Sequence, residues 1–372
     1  TGAASWDTTV KTSGFTAVNG VGYFVNTTGG AISVNLPAGT AGDVVAIKDY
    51  AGTFDTNACT LVQNGSDKIG GTTINAILNT EGIAVTLVFV DSTQGWLVTD
   101  SGLQSESPSP LFVTATGGTI TTSGNFKIHT FTGPGTFAVS NAGNADGSNS
   151  VDYLVVAGGG GAGADEGSGG GGAGGFRESP GTASGSYTVS PLGTSPAVAL
   201  SVPVASYPIT VGGGGAGGPM SPSKQKGTSG SNSIFSTITS AGGGGGGYGN
   251  GPSPDAGLYG IDGGSGGGAG GRNGTPYQAA SKGQGNTPPV SPSQGNPGGA
   301  AKTCTSNSND SAGGGGGATA TGSNASNPEG PSGNGGAGAT TSISATPTAY
   351  AGGGAGGNNS GGTSAGTGGT GG

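Results

Sequence analysis

Side chains able to do chemistry are scarce in this sequence. Its one histidine, His129, falls in a stretch, 126–131, whose alternation predicts a strand, and a lone strand histidine is read as structural. One His cannot build a His-based metal cluster, and Cys59 and Cys304, distant in sequence, make no zinc site and are read as two free thiols. The carboxylates number only 18 in 372 residues, too few to predict a paired acid–base site. Asp165-Glu166 is an adjacent acid pair in a polar turn. Asp146-Gly147-Ser148-Asn149 carries oxygen donors of the kind that hold Ca²⁺ but lacks the EF-hand spacing and its terminal Glu, so it too is read as a turn. Matches to Gly-x-Ser-x-Gly and Gly-x-Gly-x-x-Gly occur by chance where glycine and serine are this frequent. Lys226-Gly227-Thr228 has the wrong order for a phosphate-binding loop. The expectation is a non-enzyme with no cofactor and no metal.

What remains is binding chemistry, confined to loops. Lys224, Gln225 and Lys226 follow Pro219-Met220 in the loop 219–227. Tyr248 and Tyr259 bound the loop 248–259 and, with Tyr277, offer flat amphipathic faces suited to sugars or protein surfaces. Arg272, Gln278, Lys282 and Gln284 add polar reach in the longest loop, 272–297. These ten residues are the candidate recognition set, because loops on a rigid scaffold can carry recognition and the segments between them have no side chains to offer.

Those segments are glycine runs. The chain has 91 glycines, most of them after Val151, in runs at 158–164, 169–175, 212–218, 242–247, 266–271, 313–317, 333–338 and 352–357. The first run is entered from Val151-Asp152-Tyr153-Leu154-Val155-Val156-Ala157. Composition alone fits a disordered tail, since so little apolar surface cannot offset ordering entropy. Eight runs separated by strand-like pieces such as Tyr207-Pro208-Ile209-Thr210-Val211 argue instead for a packed object. A three-residues-per-turn extended path has no internal hydrogen bonds, so glycine segments without bulk on any face can pack side by side and satisfy one another's N–H and C=O groups. On this reading a Cβ at Gly214 or Gly244 has no room. The irregular lengths exclude a fixed-period solenoid, and the strict Gly-X-Y period of collagen is absent.

Residues 1–103 read as an all-β domain, a sandwich or barrel. Ile32, Val34 and Leu36 alternate with Ala31, Ser33 and Asn35, and 83–90 is the strongest strand. Residues 104–110 are a linker by composition, 111–150 a small β segment, and 151–372 the glycine-rich domain. No stretch has a helical period. Net charge is −8 with ten Lys plus Arg, which argues against a nucleic-acid partner. No apolar run reaches the length of a membrane helix, and Thr1-Gly2-Ala3-Ala4-Ser5 has no signal-peptide character.

Lys127-Ile128-His129-Thr130-Phe131-Thr132, Gly135-Thr136-Phe137-Ala138-Val139, the Val151–Gly161 stretch and Gly171-Gly172-Ala173-Gly174-Gly175-Phe176-Arg177 together resemble the glycine-rich domain of bacteriophage tail-fibre and adhesin proteins, over roughly residues 111–372. The N-terminal part is similar to modules of marine cyanophage fibre proteins through Gly22-Tyr23-Phe24-Val25-Asn26-Thr27, Asp49-Tyr50-Ala51-Gly52-Thr53-Phe54 and Gly95-Trp96. The resemblance implies a sandwich of polyglycine-II helices whose loops at one end touch a host receptor, either a cell-surface glycan or an outer-membrane protein. It also implies a place on the virion surface, most simply in a tail fibre, beside other fibre or baseplate proteins and without membrane insertion. A homotrimer through 1–103 is expected, since phage fibre β modules are commonly trimeric. The about 100 β residues that come first depart from the short attachment domain usual in such adhesins. A capsid-surface fibre or decoration protein and a bacterial extracellular filament or matrix subunit stay open as alternatives.

Overall fold

The computed structural model describes residues 4–103, 110–144, 147–185, 187–249, 256–273, 281–304, 311–326, 330–358 and 364–372. The chain forms two compact units, Thr1–Ser109 and Pro110–Gly372. Both are β-rich, and the only helical turn among the described residues is a 3-10 turn at Ala256–Leu258.

The first unit has nine strands: β1 Ser5–Lys11, β2 Phe15–Thr16, β3 Val21–Val25, β4 Ile32–Asn35, β5 Val44–Asp49, β6 Cys59–Val62, β7 Ala76–Leu78, β8 Ile83–Phe89 and β9 Trp96–Leu103. They form two sheets, ordered β1-β3-β5-β8-β9 and β2-β4-β6-β7. The chain alternates between the sheets, so β1, β3 and β5 pair in parallel, as do β2, β4 and β6. The strands flanking the turn 26–30 therefore sit in different sheets and are not a hairpin. Period-two patterning delivers the core: Ile32, Val34 and Leu36 are buried while Ser33 and Asn35 are exposed. With Val25, Ile47, Phe54, Leu61, Leu87 and Trp96 they form one continuous cluster. Asp49 is buried at the end of β5 and its carboxylate accepts the N–H groups of Thr53, Phe54 and Gly82 at 3.2, 3.2 and 2.9 Å. Cys59 is a buried free thiol; burial, seconded by the negative charge of Asp49, pushes it up to about 12.

In the second unit β10 Val113–Thr116, β11 Thr119–Ser123, β12 Phe126–Thr130 and β13 Gly135–Ala142 come first. Then follow β14 Ser150–Val151, β15 Leu154–Val156, β16 Phe176–Glu178, β17 Leu200–Ser201, β18 Ser206–Thr210, β19 Ser233–Phe235 and β20 Ile238–Ser240. Residues 111–150, read from the sequence as a small segment of their own, contribute β10 and β13 to a sheet completed by β18, β19 and β20. Phe137, Val139 and Val202 are its buried core. His129 is structural: its Nδ1 donates to the Gly117 carbonyl at 2.8 Å and its ring meets Phe137 edge-on, centroids 5.1 Å apart.

The glycine runs are extended segments bonded sideways through their backbones, in a rhythm of three. In segment 157–164, the N–H groups of Ala157, Gly160 and Gly163 donate to Gly175, Gly172 and Gly169. Those of Gly158, Gly161 and Ala164 donate to Ser231, Thr228 and Gln225. The carbonyls of Gly158, Gly161 and Ala164 in turn accept from Gly243, Gly246 and Gly249. One step of three residues along a segment matches one step of three along its antiparallel neighbour, as a threefold extended helix requires. Segment 168–175 is buried from Gly169 onward. It bonds to segments 157–164, 241–249, 264–271, 311–318 and 351–358. All eight glycine runs take part in this lateral bonding. The extended three-per-turn packing read from the sequence is therefore what the chain adopts.

Space for a Cβ differs between interior and edge, and here one sequence reading is corrected. At Gly244 a Cβ would lie 1.8 Å from the Ile261 carbonyl oxygen, whereas at Gly214 its nearest neighbour is the Gly159 oxygen at 3.7 Å. Gly214 lies on an edge segment with open space on its outer side. We expect Gly244→Val to cost about 3 kcal/mol or more and Gly214→Val to stay within about 0.5 kcal/mol, measured by urea unfolding of the full chain. Equal costs at the two positions would contradict the lateral packing.

Candidate functional site

Direction of travel alternates from one extended segment to the next once the less glycine-rich segments between the runs, such as 225–231 and 257–263, are counted, so the connections collect at two ends. At one end lie the strands. β15 pairs with β16, and further on β23 Ala339–Thr341 pairs with β24 Thr348–Tyr350. Ala173, Phe176, Ala318, Ala339 and Ala351 form a small apolar cluster there. Glu178, buried, accepts the Ser190 N–H at 2.9 Å on Oε2 and the Thr341 hydroxyl on Oε1. Asp152 accepts the Ser179 and Ser184 hydroxyls and the Ser184 N–H, each at 2.8 Å. Tyr153 beside it is buried, and burial pushes its phenol up. Gln294 locks the turn that follows residue 285: its Oε1 accepts the Ala241 N–H, its Nε2 donates to the Pro288 carbonyl and its own carbonyl accepts from Phe176, all at 2.8 Å.

The opposite end holds turns with chemistry on them. The turn after Ala164 carries Asp165 and Glu166. Asp165 is ion-paired with Lys224, and the Gln225 carbonyl beside it accepts the Ala164 N–H. Gly249 donates to Ala164, Gly271 to Gly167 and Gly357 to Ser168, which brings three further segment ends alongside. Lys302 donates its ammonium to the Ser326 carbonyl at 3.2 Å, and its backbone bridges Ser311, which bridges Asn358. Among the described residues no group of three or more His, Cys, Asp or Glu comes together, and no helix is long and apolar enough to cross a membrane.

A backbone lattice entered from the Val-Asp-Tyr-Leu-Val-Val strand and closed by side-chain-bearing turns is the setting for the comparisons. The glycine-rich domain family matches residues 132–372. This chain belongs to that family. A stretch of 92 residues is also 34% identical to baseplate wedge protein gp10 of Enterobacteria phage T4, covering 23% of this chain and 15% of that protein. The chain therefore spans only a small part of that relative.

Within the glycine-rich domain the ten sequence candidates separate. Lys224, Gln225 and Lys226 lie at the turn end, but Lys224 is committed to Asp165 and Lys226 is half-buried; Gln225 is exposed. Tyr248 and Tyr259, expected as open faces, are partly buried against Leu258, Ala269 and Ala301. The Tyr248 ring fills the space where Gly257 lacks a Cβ, 1.8 Å from such an atom. Arg272 is held by backbone in β21 Arg272–Asn273, parallel to β22 Thr303–Cys304, at the same end. Tyr277 and Gln278 lie outside the described residues, as does Asp146. The loop 272–297 is not one loop. Its residues 281–285 run down the lattice, and 286–295 form the turn locked by Gln294 at the strand end. Gln284 thus sits away from the turn end, its N–H on Asp262 Oδ1 at 2.6 Å. Lys282 is half-buried on the same short segment.

Sequence reasoning missed Lys302, which is exposed at the turn end. The signal was present: a short glycine–alanine run, 298–301, ends in a charge just as the runs before Asp165 and Arg272 do.

Burial pushes the Asp165 carboxyl up, but the Lys224 ammonium and the Glu166 N–H outweigh it and hold the group below its ordinary 3.8. The folded value is depressed, so the clasp stabilises the turn above about 3.8 and is lost as pH falls through the lowered value. We expect Lys224→Ala to raise the Asp165 titration, followed by carboxyl NMR shifts. It should also speed amide exchange at 165–167 while the bonded amides of Gly169, Gly170, Gly172 and Ala173 stay protected. An unmoved titration would show that the pair does not hold the turn.

Proposed function

We propose that this chain is a structural fibre protein of a phage virion, a tail fibre or tip adhesin, which presents the turn end of its glycine lattice to a host receptor. The observation that carries this reading is the sorting of chemistry. The lattice offers mainly backbone, its strand end is tied by the buried side chains of Glu178 and Gln294, and exposed Gln225, Glu166 and Lys302 stand at the turn end. A rigid scaffold that displays polar turns at one end suits recognition of a surface glycan or an outer-membrane protein. Membership of the glycine-rich domain family and the partial likeness to a phage baseplate protein support a structural role in a virion, in company with other tail or baseplate proteins. Residues 1–103 would attach and assemble the fibre. Ile74, Ile77 and Val98 are exposed there at 73%, 62% and 54%, apolar surface that a homotrimer would cover.

The test combines Gln225→Ala, Lys226→Ala and Lys302→Ala with replacement of 274–280 by Gly/Ser of equal length. We expect unchanged thermal unfolding and virion assembly but at least a tenfold loss of adsorption to host cells. Normal adsorption would move recognition to the N-terminal unit. Gold labelling of intact virions with an antibody to the chain separates a tail position from a capsid-surface one.

A further inference from the structure

One position beside segment 168–175 holds no segment among the described residues, and the chain carries a ridge that matches it. Around segment 168–175, neighbours that receive its N–H groups alternate with neighbours that donate to its carbonyls. N–H groups of Gly169, Gly172 and Gly175 go to segment 241–249, and those of Gly170 and Ala173 to segment 311–318. Carbonyls of this segment accept from 157–164, 264–271 and 351–358. That accounts for five sides. The third N–H row, Gly171 and Gly174, has no partner among the described residues, although both glycines are buried. Its side opens on a groove walled by segments 157–164 and 351–358 and lined as well by Gly368, Gly369, Gly371 and Gly372. On those walls the carbonyls of Ala157 and Gly160, and of Gly352 and Ala355, are likewise unpaired. The groove thus presents one row of donors on its floor and a row of acceptors on each wall, in the three-residue rhythm that elsewhere binds a neighbouring segment.

Segment 211–218 is the converse surface. It lies at the lattice edge, bonded on one side to 157–164 and on the other to 225–231. Its outer part is exposed backbone. A Cβ at Gly213 meets nothing within 4 Å, at Gly214 only the Gly159 oxygen at 3.7 Å and at Gly217 only the Ala162 oxygen at 3.8 Å. The N–H groups of Gly213, Gly214 and Gly217 and the carbonyls of Gly214, Gly215 and Gly217 have no partner among the described residues.

We propose that the groove takes the 211–218 ridge of a second copy of this chain, extending the backbone lattice from one molecule into the next. The ridge supplies donors for both walls and acceptors for the floor, and it has no Cβ on its outer glycines to obstruct entry. Runs 169–175, 242–247, 266–271 and 313–317 are buried and would have to be unpacked first. Ridge and groove are different patches of the molecule, so the contact is heterologous and head-to-tail. Neither surface carries a charge, so assembly through it is insensitive to salt. The inference does not depend on receptor binding.

The test uses the full chain and two variants whose added side chains point into open space. Gly159→Val directs its side chain into the groove, 3.9 Å from the Gly174 nitrogen; Gly214→Val caps the ridge. Sedimentation is measured across a concentration series, in low and high salt, with thermal unfolding to confirm that each variant is folded. We expect the wild-type mass to grow with concentration alike at both salts, whatever base unit residues 1–103 set. Each variant alone should stay at that base unit. An equimolar mixture of the two should regain a paired species, because each supplies the surface the other lacks. Gly213→Val replaces Gly214→Val should the latter unfold, and Gly368→Val, whose Cβ meets only the Gly353 oxygen at 3.9 Å, replaces Gly159→Val. A wild-type chain of constant mass, variants that assemble as wild type, or a mixture that does not pair would each overturn the proposal. So would occupation of the groove by a different polypeptide while copies stay apart.

Discussion

Everything in the second unit depends on one interaction, the sideways N–H···O=C bond between extended segments that have no internal hydrogen bonds. Such a segment turns three residues at a time, so its peptide groups point in three directions and can reach several neighbours at once. Packing at that distance leaves no place for a Cβ at many interior positions, although Ala173, Ala269 and Ala312 are buried in the lattice. A Cβ on Gly171, Gly244 or Gly315 would fall about 2 Å from a neighbouring carbonyl oxygen, at 2.0, 1.8 and 1.9 Å. Glycine is therefore required there for its lack of volume. Its cost is entropic, because glycine loses more backbone freedom on ordering than any other residue. The return is that nearly every buried peptide group finds a partner. Apolar burial is confined to small clusters such as Ala173, Phe176, Ala318, Ala339 and Ala351.

A lattice of near-identical segments has a register problem, since sliding one segment by three residues restores most of its bonds. The strand end supplies the answer. Phe176 opposite Val156 and Tyr350 opposite Ala339 fix where particular segments begin. Gln294 ties segment 241–249 to β16 through two hydrogen bonds, from the Ala241 and Phe176 N–H groups, while its Nε2 donates to Pro288 in its own turn. Glu178 reaches across 163 residues to Thr341 and couples an early segment to a late one. Side chains set the register and backbone fills the space.

This division explains what the sequence disclosed. Glycine runs separated by strand-like pieces declare a packed backbone object, because a flexible linker does not need eight of them. Alternation at 31–36 declared a buried strand face. The pairing of β1, β3 and β5 in parallel was not legible, since period-two patterning specifies which face is buried and not which strand lies alongside. The loop residues were identified by type, but their ends were not, because a run of pure glycine carries no mark of direction. Gln284 was grouped with Arg272 although the chain crosses the lattice between them. Tyr248 and Tyr259 were read as exposed because they border a polar loop, and only the packing on Leu258 and Ala269 shows otherwise. The edge position of Gly214 was likewise invisible, for interior and edge glycines are the same letter.

Irregular spacing of the runs follows from the same physics. Turns at the polar end add few lateral bonds, so their length is limited mainly by closure entropy, which rises slowly with loop size. The turn 165–167 joins two bonded segments, and the segments on either side of 272–280 are likewise bonded to each other through Gly283 and Gly267. Change in these turns leaves the interior bonds of 168–175 untouched, while a single Cβ inside the lattice disturbs several at once. Tolerance and constraint are thus separated in space, and the end that tolerates change is also the end where the exposed chemistry stands. A scaffold built from side chains could not separate them so cleanly, because its core and its surface would compete for the same residues. Here the interior glycines have no side chain to offer a ligand, and the turns contribute little to the packing of the lattice.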